Sequence, residues 1–169
     1  MTQTPMGPPG PGLSEDGAGG PITRVAVLAK ALEIIDREGV DALSMRRLGE
    51  AVGRDPMALY RHVPNKAAVL DGVVELVFEQ LSLDTSASDW VAALRRLGHD
   101  FRDLAHRHPH VVPLLVTRPL ATPLGMRPPG ILRHLEEVLA LLTAAGFTGA
   151  DALHIYRALF GFLYGHVLT

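Results

Sequence analysis

Residues 43–66 read LSMRRLGEAVGRDPMALYRHVPNK, from Leu43 to Lys66, and this stretch decides the fold. Ser44 can cap a helix, and the helix it opens is expected to reach about Val52, with Met45, Leu48 and Val52 facing inward. Gly49 is small where two helices would meet, and Gly53 stands where the chain must turn. Pro56 suits the first turn of a second short helix, Pro56 to His62, because its missing N–H costs nothing there. Leu59 is the expected buried anchor of that helix, while Met57, Ala58, Tyr60, Arg61 and His62 face out. Two short helices in this arrangement make a helix-turn-helix. The outward mixture of apolar and hydrogen-bonding side chains suits base edges in a major groove. Arg46, Arg47, Arg54, Arg61 and Lys66 surround it and can meet phosphates. An ordinary helical hairpin with a solvated basic face would carry the same spacing.

The flanking sequence is helical throughout, with no sustained period-2 alternation. Upstream, Val25, Leu28, Ala29, Leu32 and Ile35 form one face, and Gly39 ends the helix. Downstream, Pro64 ends the third helix. Asn65 caps a long fourth whose apolar face is Val69, Leu70, Val73, Leu76, Val77 and Leu81. Asp89 caps a fifth, with a seam of Trp90, Leu94, Leu97, Phe101, Leu104 and His108. Pro109, Pro113, Pro119 and Pro123 then break the chain, and Pro128 and Pro129 restart it. Ile131, Leu132, Leu135, Val138, Leu139 and Leu142 form the next stripe, which Gly146 stops. Thr148 with Asp151 resembles a capping box for a last helix from about Ala150. The fold class is therefore all-α. A three-helix head begins at residue 22, and the fourth helix completes a unit over 22–81 with its motif at about 44–63. A helical body occupies 83–169. Residues 1–21 hold five Pro and six Gly and read as a disordered arm.

Composition narrows the function. The chain has 169 residues, 47% of them apolar, enough for a core without staples. It contains no cysteine, so disulfides, thiolate nucleophiles and Cys-based zinc sites are excluded. The net charge is −2, so any nucleic-acid site must be a local patch. Residues 22–66 carry eight basic and six acidic side chains, a local +2. No apolar run is long enough for a membrane span, and no secretory signal is present, which makes the cytoplasm the default compartment. No motif for a serine hydrolase, phosphate loop or metalloprotease occurs, and catalysis is not expected.

Beyond this general pattern, residues 22–82 resemble the N-terminal domain of TetR-family transcriptional regulators. The resemblance rests on Gly39-Val40 with Leu43-Ser44, Arg46 and Leu48, on Val52-Gly53, on Leu59-Tyr60-Arg61-His62-Val63, and on Asn65-Lys66 followed by Val69-Leu70-Asp71. It implies that Arg46 contacts DNA from the supporting helix, and that Pro56, Met57 and Ala58 read bases. Tyr60, His62 and Lys66 would hold the phosphate backbone, and Arg54 and Arg61 belong to the same surface. Pro56 stands where many relatives carry a polar residue, leaving fewer base-directed donors. The second half is similar to the body of the tetracycline-repressor class through Asp89-Trp90, Thr117-Arg118-Pro119, Gly146-Phe147, and Gly165 with Val167-Leu168. Positions that serve metal and drug in that class align with Ser82, Leu114 and Thr169, so no magnesium–tetracycline site is expected. No cofactor is implied.

The resemblance implies a homodimer reading a near-palindromic operator with half-sites about 34–36 Å apart. Repression would be relieved by a small effector in a pocket drawn from Trp90, Phe101, Leu114, Thr117, Arg118, Phe160 and Tyr164. Phe160, Phe162 and Tyr164 interleave with Gly161 and Gly165, so the last helix could serve both dimer and pocket. The four histidines His99, His106, His108 and His110 read as a polar helix end, with a metal site as the alternative. The competing overall reading is a helical small-molecule or metal binder without specific DNA recognition. The chain stops at Thr169 within an apolar stretch, where relatives continue with another long helix, and is therefore expected to be a fragment.

Overall fold

A computed structural model describes residues 22–121 and 129–168. The expected N-terminal arm, the positions of Pro123 and Pro128, and Thr169 lie outside the described residues. Among the described residues, eight α-helices follow in order: α1 Arg24–Glu38, α2 Met45–Ala51, α3 Pro56–Leu59, α4 Lys66–Phe78, α5 Trp90–Arg107, α6 Val112–Ala121, α7 Pro129–Ala144 and α8 Gly149–Val167. A 3₁₀ turn at Val40–Ala42 joins α1 to α2. No strand occurs among the described residues.

Local chemistry starts and stops most of these helices. Thr23, Ser44, Asp55, Asn65, Asp89 and Thr148 each accept a backbone N–H at a helix start, satisfying donors the helix leaves open. At α8, Thr148 Oγ1 accepts from Asp151 N at 3.2 Å and donates to Asp151 Oδ2 at 2.7 Å. Asp is shorter than the usual Glu, and its carboxylate takes the hydroxyl. Gly39 and Gly146, at φ 85° and 98°, end α1 and α7.

Four expectations need correction. Val25 is 64% exposed, and the buried face of α1 is Val27, Leu28, Ala31, Ile34 and Ile35. α4 sets the inward direction of that face by packing against α1. The third helix is one short turn, Pro56–Leu59, and Tyr60 to His62 lie in a turn that Pro64 prevents from extending. α4 stops at Phe78, with Leu81 buried just beyond it. The proline-rich stretch contains helix α6. Pro113 falls in the first turn of α6, where no N–H is required, and Pro119 gives up one bond near its end. Thr117 Oγ1 also donates to Pro113 O at 2.7 Å.

α4 is the axis of the molecule. It packs on α1 toward the head and on α6 and α7 toward the body. Two partners explain why Val74 and Phe78 are buried along with Val69, Val73 and Val77. In the body, α8 lies against both α5 and α7. Trp90 meets Phe147 edge-on at 5.1 Å, and further along Phe101 meets Phe160 and Tyr164 at 6.2 and 5.8 Å. α5 and α8 therefore run side by side in the same direction. One apolar core continues from α1 through α4 to α8.

Candidate nucleic-acid interface

The helix-turn-helix is built around small contacts. A Cβ on Gly49 would lie 2.9 Å from the Arg54 carbonyl oxygen and 3.2 Å from the Pro56 ring. Only glycine lets α2 approach the start of α3 this closely. Gly53 holds the turn at φ 65°. Leu59 and Val63 are fully buried and fasten the short helix from below. Asp55 Oδ1 accepts the Met57 N–H at 2.7 Å and squares the entry to α3.

This scaffold lifts a defined set of side chains into solvent. Met57 is 72% exposed and Tyr60 44% exposed. Arg54 and Arg61 are exposed beside them, while Pro56, Ala58 and His62 are half-buried. Arg46 stands on α2 and pairs with Glu50 one turn on at 2.6 Å. Lys66 is the first residue of α4, and its Nζ donates to the Val40 carbonyl at 3.4 Å. The nine sequence-derived positions thus span the supporting helix, the turn, α3 and the start of α4. Arg47 points elsewhere and pairs with Glu38 at the end of α1. The Arg47 and Arg37 guanidiniums hold the Glu38 carboxyl below its ordinary pKa.

Three polar links tie α4 to the body. The Arg118 guanidinium of α6 engages Asp71 and also donates to Ala67 O at 3.2 Å. Asp71 raises the Arg118 pKa further above its ordinary value. Glu75 Oε1 accepts the Gly130 N–H of α7 at 3.1 Å. His134, also on α7, is buried and lies 2.7 Å through Nε2 from the Phe78 carbonyl, so that nitrogen donates. The sequence-derived pocket residues divide between sites. Phe101, Phe160 and Tyr164 form one aromatic cluster between α5 and α8. Trp90 sits half-buried on Phe147, Leu114 is in the core of α6, Thr117 is exposed, and Arg118 is held at α4.

Comparison with known proteins assigns the family. A model of the tetracyclin repressor-like C-terminal domain matches residues 84–169, half of the chain, and one of bacterial regulatory proteins of the tetR family matches residues 27–73. The chain belongs to the TetR family. It is 34% identical over 147 residues to an HTH-type transcriptional regulator of Saccharopolyspora erythraea, covering 86% of this chain and 60% of that protein. Two solved TetR-family neighbours are each 25% identical. ActR of Streptomyces coelicolor, in complex with actinorhodin, superposes with a TM-score of 0.76 over 88% of this chain and 69% of that one. BioQ, with its natural double-stranded DNA operator, superposes at 0.72 over 87% and 86%. The chain spans between about half and two thirds of the length of the curated relatives it matches.

Within this TetR-family frame, several working residues escape sequence reasoning. Asp55 carries the cap of α3, a role its place directly before Pro56 could have signalled. His134 sits on the apolar stripe of α7, where a histidine has no distinguishing signal. Of the four clustered histidines, His106 stands in the last turn of α5, while His108 and His110 meet the end of α1. His110 Nδ1 lies 3.0 Å from the Ile35 and Asp36 carbonyls, and His108 Nδ1 lies 2.8 Å from Asp36 Oδ2. Asp36 Oδ1 is buried without a hydrogen-bond partner. Among the described residues, no group of three or more His, Asp or Glu is arranged to hold a metal. No described helix is long and apolar enough to cross a membrane.

Proposed function

We propose that this chain is a sequence-specific DNA-binding transcriptional regulator, most simply a repressor released by a small effector, acting as a homodimer in the cytoplasm without catalysis. The observation that carries the reading is the exposed set Met57, Tyr60 and Arg61 on α3 and the turn after it, whose underside is fixed by Leu59 and Gly49. Pro56, Met57 and Ala58 meet base edges, where apolar contact favours the thymine methyl. Arg46, Arg54, Tyr60, Arg61, His62 and Lys66 meet the backbone and set register. The unit over 22–81 is the reading head, and the body over 83–169 receives the effector. Phe101, Phe160 and Tyr164 supply the aromatic wall between α5 and α8.

Arg118, Gly130 and His134 transmit the signal, because any shift of α6 or α7 pulls on α4 at Asp71, Glu75 or Phe78. The effector releases DNA only if it binds the released arrangement more tightly than the DNA-bound one. Fluorescence anisotropy with duplexes from around the coding sequence tests this, with random competitor at two salt concentrations. Binding that survives competitor is expected. Loss of all binding to competitor on every such duplex would overturn the reading.

A further inference from the structure

The start of α3 offers a DNA groove no hydrogen-bond donor at Pro56, Met57 or Ala58. Pro56 has no backbone N–H, and its ring lies against α2, 3.2 Å from where a Cβ on Gly49 would stand. The Met57 N–H is taken by Asp55 Oδ1 at 2.7 Å, and the Ala58 N–H by the Asp55 carbonyl at 2.9 Å. The three side chains carry no donor, and the Met57 thioether is only a weak acceptor. Met57 is nevertheless 72% exposed, with Pro56 and Ala58 half-buried beside it, while Leu59 faces the core. The result is an apolar ridge, flanked in the chain by Arg46 and Arg54 on one side and Arg61 and Lys66 on the other. Those cations suit the phosphates of a duplex, so the occupant of the ridge is a major groove.

We propose that α3 reads the C5-methyl group of pyrimidines and is blind to the substituent at C4, so that 5-methylcytosine serves as well as thymine in the operator half-site. In the major groove thymine presents O4 and a methyl group, and cytosine presents its N4 amine. Telling O4 from N4 takes a strong donor or acceptor, and Pro56, Met57 and Ala58 bring neither. The methyl is what these side chains can recognise, because covering it removes apolar surface from water on both partners. Met57 suits the contact, since an unbranched thioether adapts to the methyl's position. Tyr60, Arg61 and His62 carry donors but lie in the turn beyond α3, where the reading above puts them on the backbone. The inference deepens that reading and rests on it: it names the class of base the head takes, and it makes cytosine methylation a way to create a binding site.

The test starts from the duplex that the full 169-residue chain enriches from a random library of the four ordinary bases. Each thymine of its half-site is replaced in turn by uracil, by cytosine and by 5-methylcytosine, with guanine opposite the two cytosines. Fluorescence anisotropy compares the affinities at one salt concentration. Uracil differs from thymine by the methyl alone. At the thymines that face α3, uracil and cytosine are expected to weaken binding about fourfold, the worth of covering one methyl group. 5-Methylcytosine should stay within about twofold of thymine. Met57→Ala marks the positions concerned, because it should remove most of the difference between thymine and uracil there. Met57 is exposed, and circular dichroism checks that the variant remains folded. Equal affinities for thymine and uracil at every position, or an enriched site without thymine, would overturn the proposal. So would 5-methylcytosine bound as weakly as cytosine, or a methyl effect that Met57→Ala leaves intact. Each of these results leaves sequence-specific DNA binding standing. Failure to enrich any duplex would overturn the DNA-binding reading, and this inference with it.

Discussion

Lys66 shows how one residue serves two tasks in the head. Its stem starts α4, and its ammonium reaches back to Val40 in the turn after α1. Lys66→Ala is expected to weaken binding to all duplexes and to lower the slope of log affinity on log salt by about one, as loss of a phosphate contact does. Tyr60→Ala should weaken all duplexes too, and anisotropy over a salt series reads both. Glu38 works on the fold. Arg47 and Arg37 keep its carboxyl pKa below 4.5, so their contribution is present above pH 4.5 and is lost as pH falls through the lower folded value. Urea midpoints of the wild type and Glu38→Gln should therefore differ at pH 7 and converge on acidification. The motif residues were legible because capping, turn and charge chemistry act within a few positions. Arg47 was not, because its partner Glu38 lies nine positions away.

At the scale of elements, α2 and α3 depend on a contact no side chain can share. Gly49→Ala places a carbon 2.9 Å from a backbone oxygen, which α3 cannot relieve without moving. We expect a loss of about 1–3 kcal/mol, typical of overpacking, together with weakened DNA binding, measured by urea melting and anisotropy on the same preparation. Leu59→Ala in the same unit should cost about 2–5 kcal/mol, as buried leucines do. Capped helices with clear stripes, such as α2 and α5, were readable from the sequence. α6 was hidden, because four prolines looked like breaks although a helix tolerates one in its first turn. α4 was half readable. Its second buried face exists only because α6 and α7 cover it, and local periodicity carries no record of that packing.

In the whole molecule, head and body share α4, which packs on α1, α6 and α7. His134 is the most buried link, and its loss leaves the Phe78 carbonyl without that donor. His134→Ala should cost about 1–3 kcal/mol, the penalty for an orphaned buried polar group, with more for the vacated volume. Thermal denaturation followed by circular dichroism would show it as a lower Tm. The family and the all-helical class were both evident in the motif around Tyr60 and His62. The His134 link was not, because it requires His134 and Phe78 to meet across 56 positions of chain. The central claim is that α3 reads base sequence. It is tested most directly by selecting bound duplexes from a random library with the wild type and with Met57→Ser/Ala58→Arg. One enriched, near-palindromic site is expected for the wild type and a changed or relaxed site for the variant. Identical enriched sites for both proteins, or none above the starting library for the wild type, would contradict it.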